Sequence, residues 1–438
     1  MLTGNAVYAA SQWGMLIILA KLGSAEMVGQ FALGLAVTAP IFMFSNLQLR
    51  AVQATDSIHE YQFIDYFRLR IMTTILALAV IVTIALTAYH YETALLIVLI
   101  GTAKAFESLS DVVYGLLQQR ERMDRIAKAY YIKGPTSFIA FTIGMIITDN
   151  VVGAVIGMLL VWGLVFFIFD LFSAHQMGER QSVIRSPLSI RRLRQLSWMA
   201  LPMGFVMMLI SLNTNIPRIV IEHFLGEAQL GFFSAIAYMI IAGDIIVVAL
   251  GQAAAPRLSL FYSSNRRSAY WRLLLRLILL AIGIGVVGLI IAHQASVPLL
   301  TLLYGQEYAT HANLFFGIMV AASINYIVSV TRYAVIVART LWLEFMVSIG
   351  SLLSMIISCY LLIPNMGLMG AVYALIITNM ISLIMKVLEL FWIARKFSRF
   401  IGGEGSSVKD SSRRLSTHSE RACHSQHFHN GFQRDTIR

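Results

Sequence analysis

Along this chain, apolar runs long enough to cross a bilayer follow one another with only short polar breaks between them. A spanning helix needs roughly 20 mostly apolar residues. The sequence predicts twelve, at about 5–22, 28–49, 66–88, 93–118, 128–148, 150–172, 197–222, 228–255, 272–293, 309–337, 341–363 and 367–394. The polar breaks alternate in sign. One set carries Arg50, Arg68 and Arg70, then Arg120, Arg122, Arg125 and Lys128, then Arg180, Arg185, Arg191, Arg192 and Arg194, then Arg257, Arg266, Arg267, Arg272 and Arg276. Arg332, Arg339 and the tail belong to the same set. The other set holds Glu26, Glu92, Asp149, Glu222, Glu227 and Glu307, with Lys21 nearly alone among cations. Basic loops stay on the cytoplasmic side, so both termini are expected there.

The longest internal connection, Ser173 to Trp198, divides the spans six and six. Two echoes fit a repeat. "LGSAEMVGQFA" at Leu22–Ala32 resembles "LGEAQLGFFSA" at Leu225–Ala235, and "GAV" opens both the sixth and the twelfth spans, at Gly153 and Gly370. Repeats of an even number of spans are parallel, related by an axis along the membrane normal. The expected architecture is therefore all-α and polytopic, with two parallel six-helix bundles around a central cavity. Its expected parts are a bundle over 1–178, a basic linker over 179–196, a bundle over 197–398 and a cytoplasmic, disordered tail over 399–438.

Composition agrees with this class. The chain is 58% hydrophobic and 13% charged, against roughly 25% charged in soluble domains. Its net charge of +11 sits in span-flanking loops and the tail, so no basic cluster is attached to a soluble fold and no nucleic-acid partner is expected. Two cysteines, Cys359 and Cys423, make no disulfide framework. No charged n-region or small-residue cleavage site precedes the first apolar run, which reads as a retained span.

Four spans confine polar residues to single stripes. Ser211, Thr214, Asn215 and Arg218 fall on one face of the seventh, with Asn213 nearby; Lys104, Glu107 and Asp111 lie at i, i+3, i+7 in the fourth. Asn325, Ser329 and Arg332 line the tenth, and Asn379, Ser382, Lys386 and Glu389 the twelfth. A charge at the bilayer centre costs at least about 2.5–3.5 kcal/mol on insertion scales, and such groups face the bundle interior or a hydrated cavity. Each stripe also has a plainer reading. Lys104 with Glu107, and Lys386 with Glu389, could be mutually neutralising pairs. Arg218 could snorkel to headgroups, Arg332 and Arg50 could be interfacial anchors, and Pro217 could be a simple kink. Asp244, alone in the eighth span, joins Glu107 and Asp111 as an ion-coupling candidate.

Other patterns lose their usual meaning in this context. Gly283, Gly285 and Gly288 spell a dinucleotide motif, but inside a span they are read as helix-packing positions, as are Gly153 and Gly157. Cys423, His424, His427 and His429 match no zinc spacing, so no metal is expected. No nucleophile elbow, P-loop or H-E-x-x-H is present, and no cofactor or covalent chemistry is expected.

Three stretches carry a family resemblance. "NAVYAASQWGMLIILAKLGSAEMVGQFALGLAVTAPI" (Asn5–Ile41) resembles the opening of bacterial polysaccharide-export proteins of the O-antigen flippase family. That family lies in the superfamily of multidrug, oligosaccharidyl-lipid and polysaccharide exporters. "NIPRIVIEHFLGEAQLGFFSA" (Asn215–Ala235) and "PNMGLMGAVYA" (Pro364–Ala374) are similar to its seventh-to-eighth-span signature and its last-span opening. Many members carry Asp-Arg where this chain has Pro217-Arg218. The resemblance spans roughly residues 1–400 and leaves the tail uncovered. It implies a twelve-helix flippase, not an enzyme, in the bacterial inner membrane. It also implies that an undecaprenyl-pyrophosphate-linked oligosaccharide is carried to the periplasmic leaflet, with membrane lipids and polysaccharide polymerase machinery as partners. The expected substrate contacts are Lys104, Arg218, Lys386 and Arg50 for anionic groups, and Asn213, Asn215, Asn325 and Asn379 for sugars. The alternative within the superfamily is a cation-coupled multidrug exporter. A sugar polymerase is disfavoured by the short outer loops.

Overall fold

A computed structural model describes residues 2–56, 60–177, 189–338 and 341–395. Arg180, Arg185, Arg339 and the histidine-rich tail lie outside these residues. Every span-forming segment is helical, as a bilayer demands of any backbone that must satisfy its own hydrogen bonds. The spans are α1 Leu2–Leu22, α2 Ala25–Ser45, α3 Phe63–Ala88, α4 Tyr91–Gln119, α5 Met123–Thr148 and α6 Val151–Gln176. They continue as α7 Ile190–Leu225, α8 in two pieces (Glu227–Tyr238 and Ile241–Ser263), α9 Arg267–Gln294, α10 Ala312–Val337, α11 Leu341–Met366 and α12 Leu368–Arg395. Among the described residues, ten helical stretches are long and apolar enough to cross a membrane. Helices α1 and α5 fall outside that set, since Asn5, Ser11, Gln12 and Lys21 dilute one, and Lys128, Lys133 and Pro135 the other. The two pack against each other.

Local chemistry sets the boundaries. Ser24 caps α2 by accepting from the Met27 amide at 3.3 Å, and Asn150 caps α6 by accepting from the Val152 amide at 2.9 Å. Gly226, at φ +84°, separates α7 from α8. Three features depart from the sequence expectation. Helix α7 begins at Ile190, inside the expected linker, with Ser189 as its cap. Helix α8 breaks after Tyr238. Short helices Ser296–Leu303 and Gln306–Ala309 fill the connection from α9 to α10.

The ends of the molecule differ in charge and in packing. At the end bearing Glu26, Glu92 and Glu227, one apolar core joins both halves. It runs from Met15, Leu33, Ile97 and Phe141 to Ile221, Leu230 and Ile318. At the opposite, arginine-rich end there are two separate cores. One holds Leu49, Tyr66, Val113 and Leu117 with Leu193 and Leu196 of α7, and the other holds Val247, Leu258, Tyr270 and Val330. The halves are thus fused at the acidic end and divided at the basic end.

That fusion depends on two glycines. A Cβ on Gly29 of α2 would lie 1.8 Å from the carbonyl oxygen of Glu227, and one on Gly231 of α8 would lie 1.8 Å from that of Ala25. The echoed sequence segments therefore pack on one another reciprocally. Glu227 pins the crossing by accepting from Gln30 Nε2 at 2.8 Å and from Thr93 Oγ1 at 2.6 Å. Of the glycines in the motif-like patterns, a Cβ on Gly157 would meet the Ala140 carbonyl oxygen at 2.3 Å and one on Gly285 would meet Ser323 at 2.9 Å, whereas Gly283 has no neighbour within 4 Å among the described residues and is not a packing position.

Candidate functional site

The polar stripes resolve into groups with different partners. On α7, Ser211, Asn215 and Arg218 form one ladder. Asn215 donates to the Ser211 carbonyl at 2.9 Å, and Arg218 Nη1 donates to Asn215 Oδ1 at 2.8 Å. Thr214 is exposed and donates to Ile210 at 3.2 Å, so it leaves the stripe. Arg218 Nε is buried without a hydrogen-bond partner, as is Asn213 Oδ1. No carboxylate of the described residues lies within 4.0 Å of Arg218. An aromatic link also crosses between the halves nearby, where Trp13 Nε1 donates to Tyr304 Oη at 3.0 Å.

On α4 the charges are matched. Lys104 Nζ lies 2.7 Å from Glu107 Oε2, and Tyr8 of α1 donates to Glu107 Oε1 at 2.7 Å. The pair is not sealed: the side chains keep 26% and 32% of their accessible surface. A pairing role and access to solvent therefore coexist. One turn onward, Asp111 receives Arg50 Nη1 at 3.3 Å and Arg70 Nη2 at 3.2 Å. Arg70 is fully buried and also bonds Asn46, which accepts from Ser108 at 2.7 Å. Arg50 reaches this cluster because Leu47 and Gln48, at φ +48° and +51°, turn the chain sharply after α2. Left-handed backbone costs a non-glycine residue roughly 1–2 kcal/mol.

The second half uses its polar residues otherwise. Lys386 is 1% exposed and touches both Glu344 of α11 and Glu389 of its own helix, while Arg332 approaches Glu344 at 3.4 Å. Ser382 pairs with Ser351 at 2.9 Å. Ser382 and Lys386 of the α12 stripe bond to α11, so the contacts of Lys386 are those of the ion-pair reading, its ammonium being neutralised by two carboxylates. Asn379 donates to the Ala321 carbonyl at 2.9 Å, tying α12 to α10. Asn325 meets Asp244 at 3.4 Å, the only partner shown for either side chain among the described residues.

Interior charges that the stripe analysis passed over are Lys133 on α5, Asp170 on α6, and Arg70, which was read as a loop charge. Lys133 Nζ stands 4.5 Å from the Trp162 ring centre, and Lys104 stands 5.2 Å from the same ring. In the first half, Lys104, Lys133, Arg50 and Arg70 outnumber Glu107, Asp111 and Asp170, whereas in the second half Arg218, Arg332 and Lys386 are matched in number by Asp244, Glu344 and Glu389. The positive excess is confined to the first half, where it suits an anionic ligand. Among the described residues, no group of His, Cys, Asp and Glu is arranged to hold a metal ion.

The family described as "Polysaccharide biosynthesis protein" matches residues 2–262. The chain is 26% identical to the capsular polysaccharide biosynthesis protein CapF of Staphylococcus aureus over 390 residues, covering 88% of this chain and 96% of that one. Two solved structures share the fold. An inward-facing multidrug resistance MATE family transporter of the MOP superfamily superposes with a TM-score of 0.72 at 15% identity, over 89% of this chain and 94% of that one. The lipid II flippase MurJ in an inward closed conformation gives 0.71 at 13% identity, over 89% and 87%.

Proposed function

Since the chain belongs to the polysaccharide biosynthesis protein family, we propose that it is a flippase for a surface-polysaccharide repeat unit carried on undecaprenyl pyrophosphate. It moves this unit from the cytoplasmic to the outer leaflet of the bacterial inner membrane, with both of its termini in the cytoplasm. The observation that carries this reading is Arg218: a half-buried arginine whose Nε is sealed from solvent without a partner, whose Nη1 meets the neutral Asn215, and which has no carboxylate within 4.0 Å among the described residues. A guanidinium inside a bilayer is costly without a counter-charge, and phosphate oxygens are its natural bidentate partner. Asn213, Asn215 and the Lys104–Glu107 pair supply donors and acceptors for the sugars. The lipid tail stays in the bilayer between the two halves, residues 1–178 and 197–398, which rock against each other to expose the head group to alternate sides.

The experiment is complementation of a deletion strain. Arg218→Ala abolishes surface polysaccharide at undiminished membrane abundance, and Arg218→Lys, which keeps charge but not the planar fork, restores part of it. Full polysaccharide in the alanine variant removes the assignment.

A second reading, export of cationic compounds, rests on Asp244, a carboxylate whose one hydrogen-bond partner among the described residues is the amide of Asn325. Greater drug sensitivity of the deletion strain, reversed by the wild-type gene but not by Asp244→Asn, would favour it.

A further inference from the structure

Asp170 and Lys133 take no part in the transport path proposed above, yet their surroundings are unusual for charges inside a helical bundle. Asp170 ends a π-helical turn, Phe166–Asp170, within α6; such turns re-aim side chains and recur at functional sites. Its side chain is 1% exposed. Oδ2 accepts from Tyr114 Oη of α4 at a long 3.4 Å, and Oδ1 has no hydrogen-bond partner among the described residues. Beside this carboxyl lies Ser110 of α4, fully buried, its hydroxyl likewise without a partner. Lys133 of α5 is 1% exposed, and its ammonium rests against the face of Trp162 rather than on a carboxylate.

An ionised carboxylate so poorly solvated would be driven onto the nearest ammonium, because buried opposite charges attract strongly and an unpaired buried charge is severely penalised. The two stay apart: no Asp170–Lys133 pair lies within 4.0 Å among the described residues. The second half offers a contrast, since Lys386, on its own buried network, touches both Glu344 and Glu389. A neutral carboxyl explains the separation. We propose that Asp170 is an exchangeable proton site, held against the tethered cation Lys133 inside the first six helices.

The proton sits on Oδ1 in the arrangement seen here. When Lys133 leaves the Trp162 face for the carboxyl, the O–H bond breaks and the proton passes to water. Asp170 then becomes the partner of an ammonium that keeps its own charge throughout. A metal ion does not suit this position, because one carboxylate and one hydroxyl are too few donors and Lys133 already supplies positive charge. The groups facing the pair come from each neighbouring helix: Ser110, Tyr114, Glu107 and Asp111 from α4, Tyr130 from α5 and Trp162 from α6, with Lys104 and Tyr8 engaged by Glu107. Of the three carboxylates, Glu107 is satisfied by Lys104 and Tyr8 and Asp111 by Arg50 and Arg70, which leaves Asp170 as the group free to exchange.

The test reads the proton itself and needs no substrate. Infrared spectra of the full-length protein in lipid nanodiscs are recorded across a pH series in H2O and D2O. The wild type shows the carbonyl stretch of a protonated carboxylic acid that persists through neutral pH and shifts in D2O. Asp170→Asn, close to isosteric, loses that band. Lys133→Met removes the charge that draws the proton off, so the band survives to a pH about one unit higher or more, a tenfold change in proton affinity. An equal band in wild type and Asp170→Asn overturns the proposal, as does a band already lost at the pH of an exposed aspartate. Should Asp170→Asn fail to give monodisperse protein, the Lys133→Met titration decides alone, and an unmoved midpoint overturns the proposal. Loss of transport plays no part, so this site and the flippase reading fail separately.

Discussion

Gly29 and Gly231 meet across the join between the two halves so closely that a methyl group on either would overlap a carbonyl oxygen of the other helix. Around them, Glu227 bonds both Gln30 and Thr93. Backbone contact of this kind is a small-residue device for bringing membrane helices together. Here it closes one end of the molecule while the cores at the other end stay separate.

Gly231→Leu therefore opens the acidic end. Overpacking costs about 1–3 kcal/mol, which depletes the closed arrangement roughly fivefold to 150-fold. Surface polysaccharide falls by a similar order while protein persists. A cysteine at Ala25, buried in the wild type, gains labelling by an impermeant maleimide in the Gly231→Leu background, with Cys359 and Cys423 replaced by alanine. Unchanged labelling would count against the crossing as a closure.

Lys386→Met leaves Glu344 and Glu389 facing each other in a buried network. Stripping the cation from buried carboxylates costs about 3–5 kcal/mol. The expected result is a lowered thermal midpoint by fluorescence size-exclusion and a low membrane yield. A companion variant that also carries Glu344→Gln and Glu389→Gln recovers much of the loss. Normal stability with abolished transport would instead return Lys386 to the substrate path.

Asp111 holds two arginines, so Asp111→Asn and Arg50→Ala should separate. The first strands Arg70, which is fully buried, and destabilises by about 3–5 kcal/mol. The second removes a side chain that keeps 22% of its surface, and leaves Asp111 with Arg70; its effect on stability is about 1 kcal/mol or less. Thermal midpoints of the two variants, measured side by side, check the order.

Gln48 adopts left-handed backbone at φ +51°. Gln48→Gly relieves that strain, and thermal stability rises by about 0.5–1 kcal/mol with polysaccharide output unchanged. A fall in stability would mean that the side chain outweighs the backbone term.

The sequence reading went furthest where one physical rule dominates. Apolar run length located the helices of the membrane core, though α7 starts at Ile190 rather than about 197 and the broken α8 runs on to Ser263 rather than about 255; the alternation of charge anticipated the distinct acidic and basic ends. Periodicity within single helices found real faces: Ser211, Asn215 and Arg218 do form one ladder. It could not say what each face looks at. Lys386 and Arg218 give the same signal along the chain, yet one is locked between carboxylates and the other has none within 4.0 Å among the described residues. Lys133 and Asp170 escaped notice because Lys133 follows the flanking cations Arg125 and Lys128 on α5 while Asp170 is a single acid near the end of α6, and their relation exists only once α4, α5 and α6 pack. The break in α8 after Tyr238 carries no proline or glycine at the break itself, so no local residue announces it.

One helix deserves a mechanical reading. The first turns of α7 are embedded with Leu193 and Leu196 among first-half residues, whereas its far end carries Val220 and Ile221 into the shared core and its flank lies along α11. A rod clamped at two stations cannot follow the swing of either lobe without flexing. Pro202 and Pro217, each depriving the rod of an internal hydrogen bond, bracket the length where that flexing is cheapest. The polar ladder ending at Arg218 lies along that same length, so the swing of a lobe and the aim of the guanidinium are one motion.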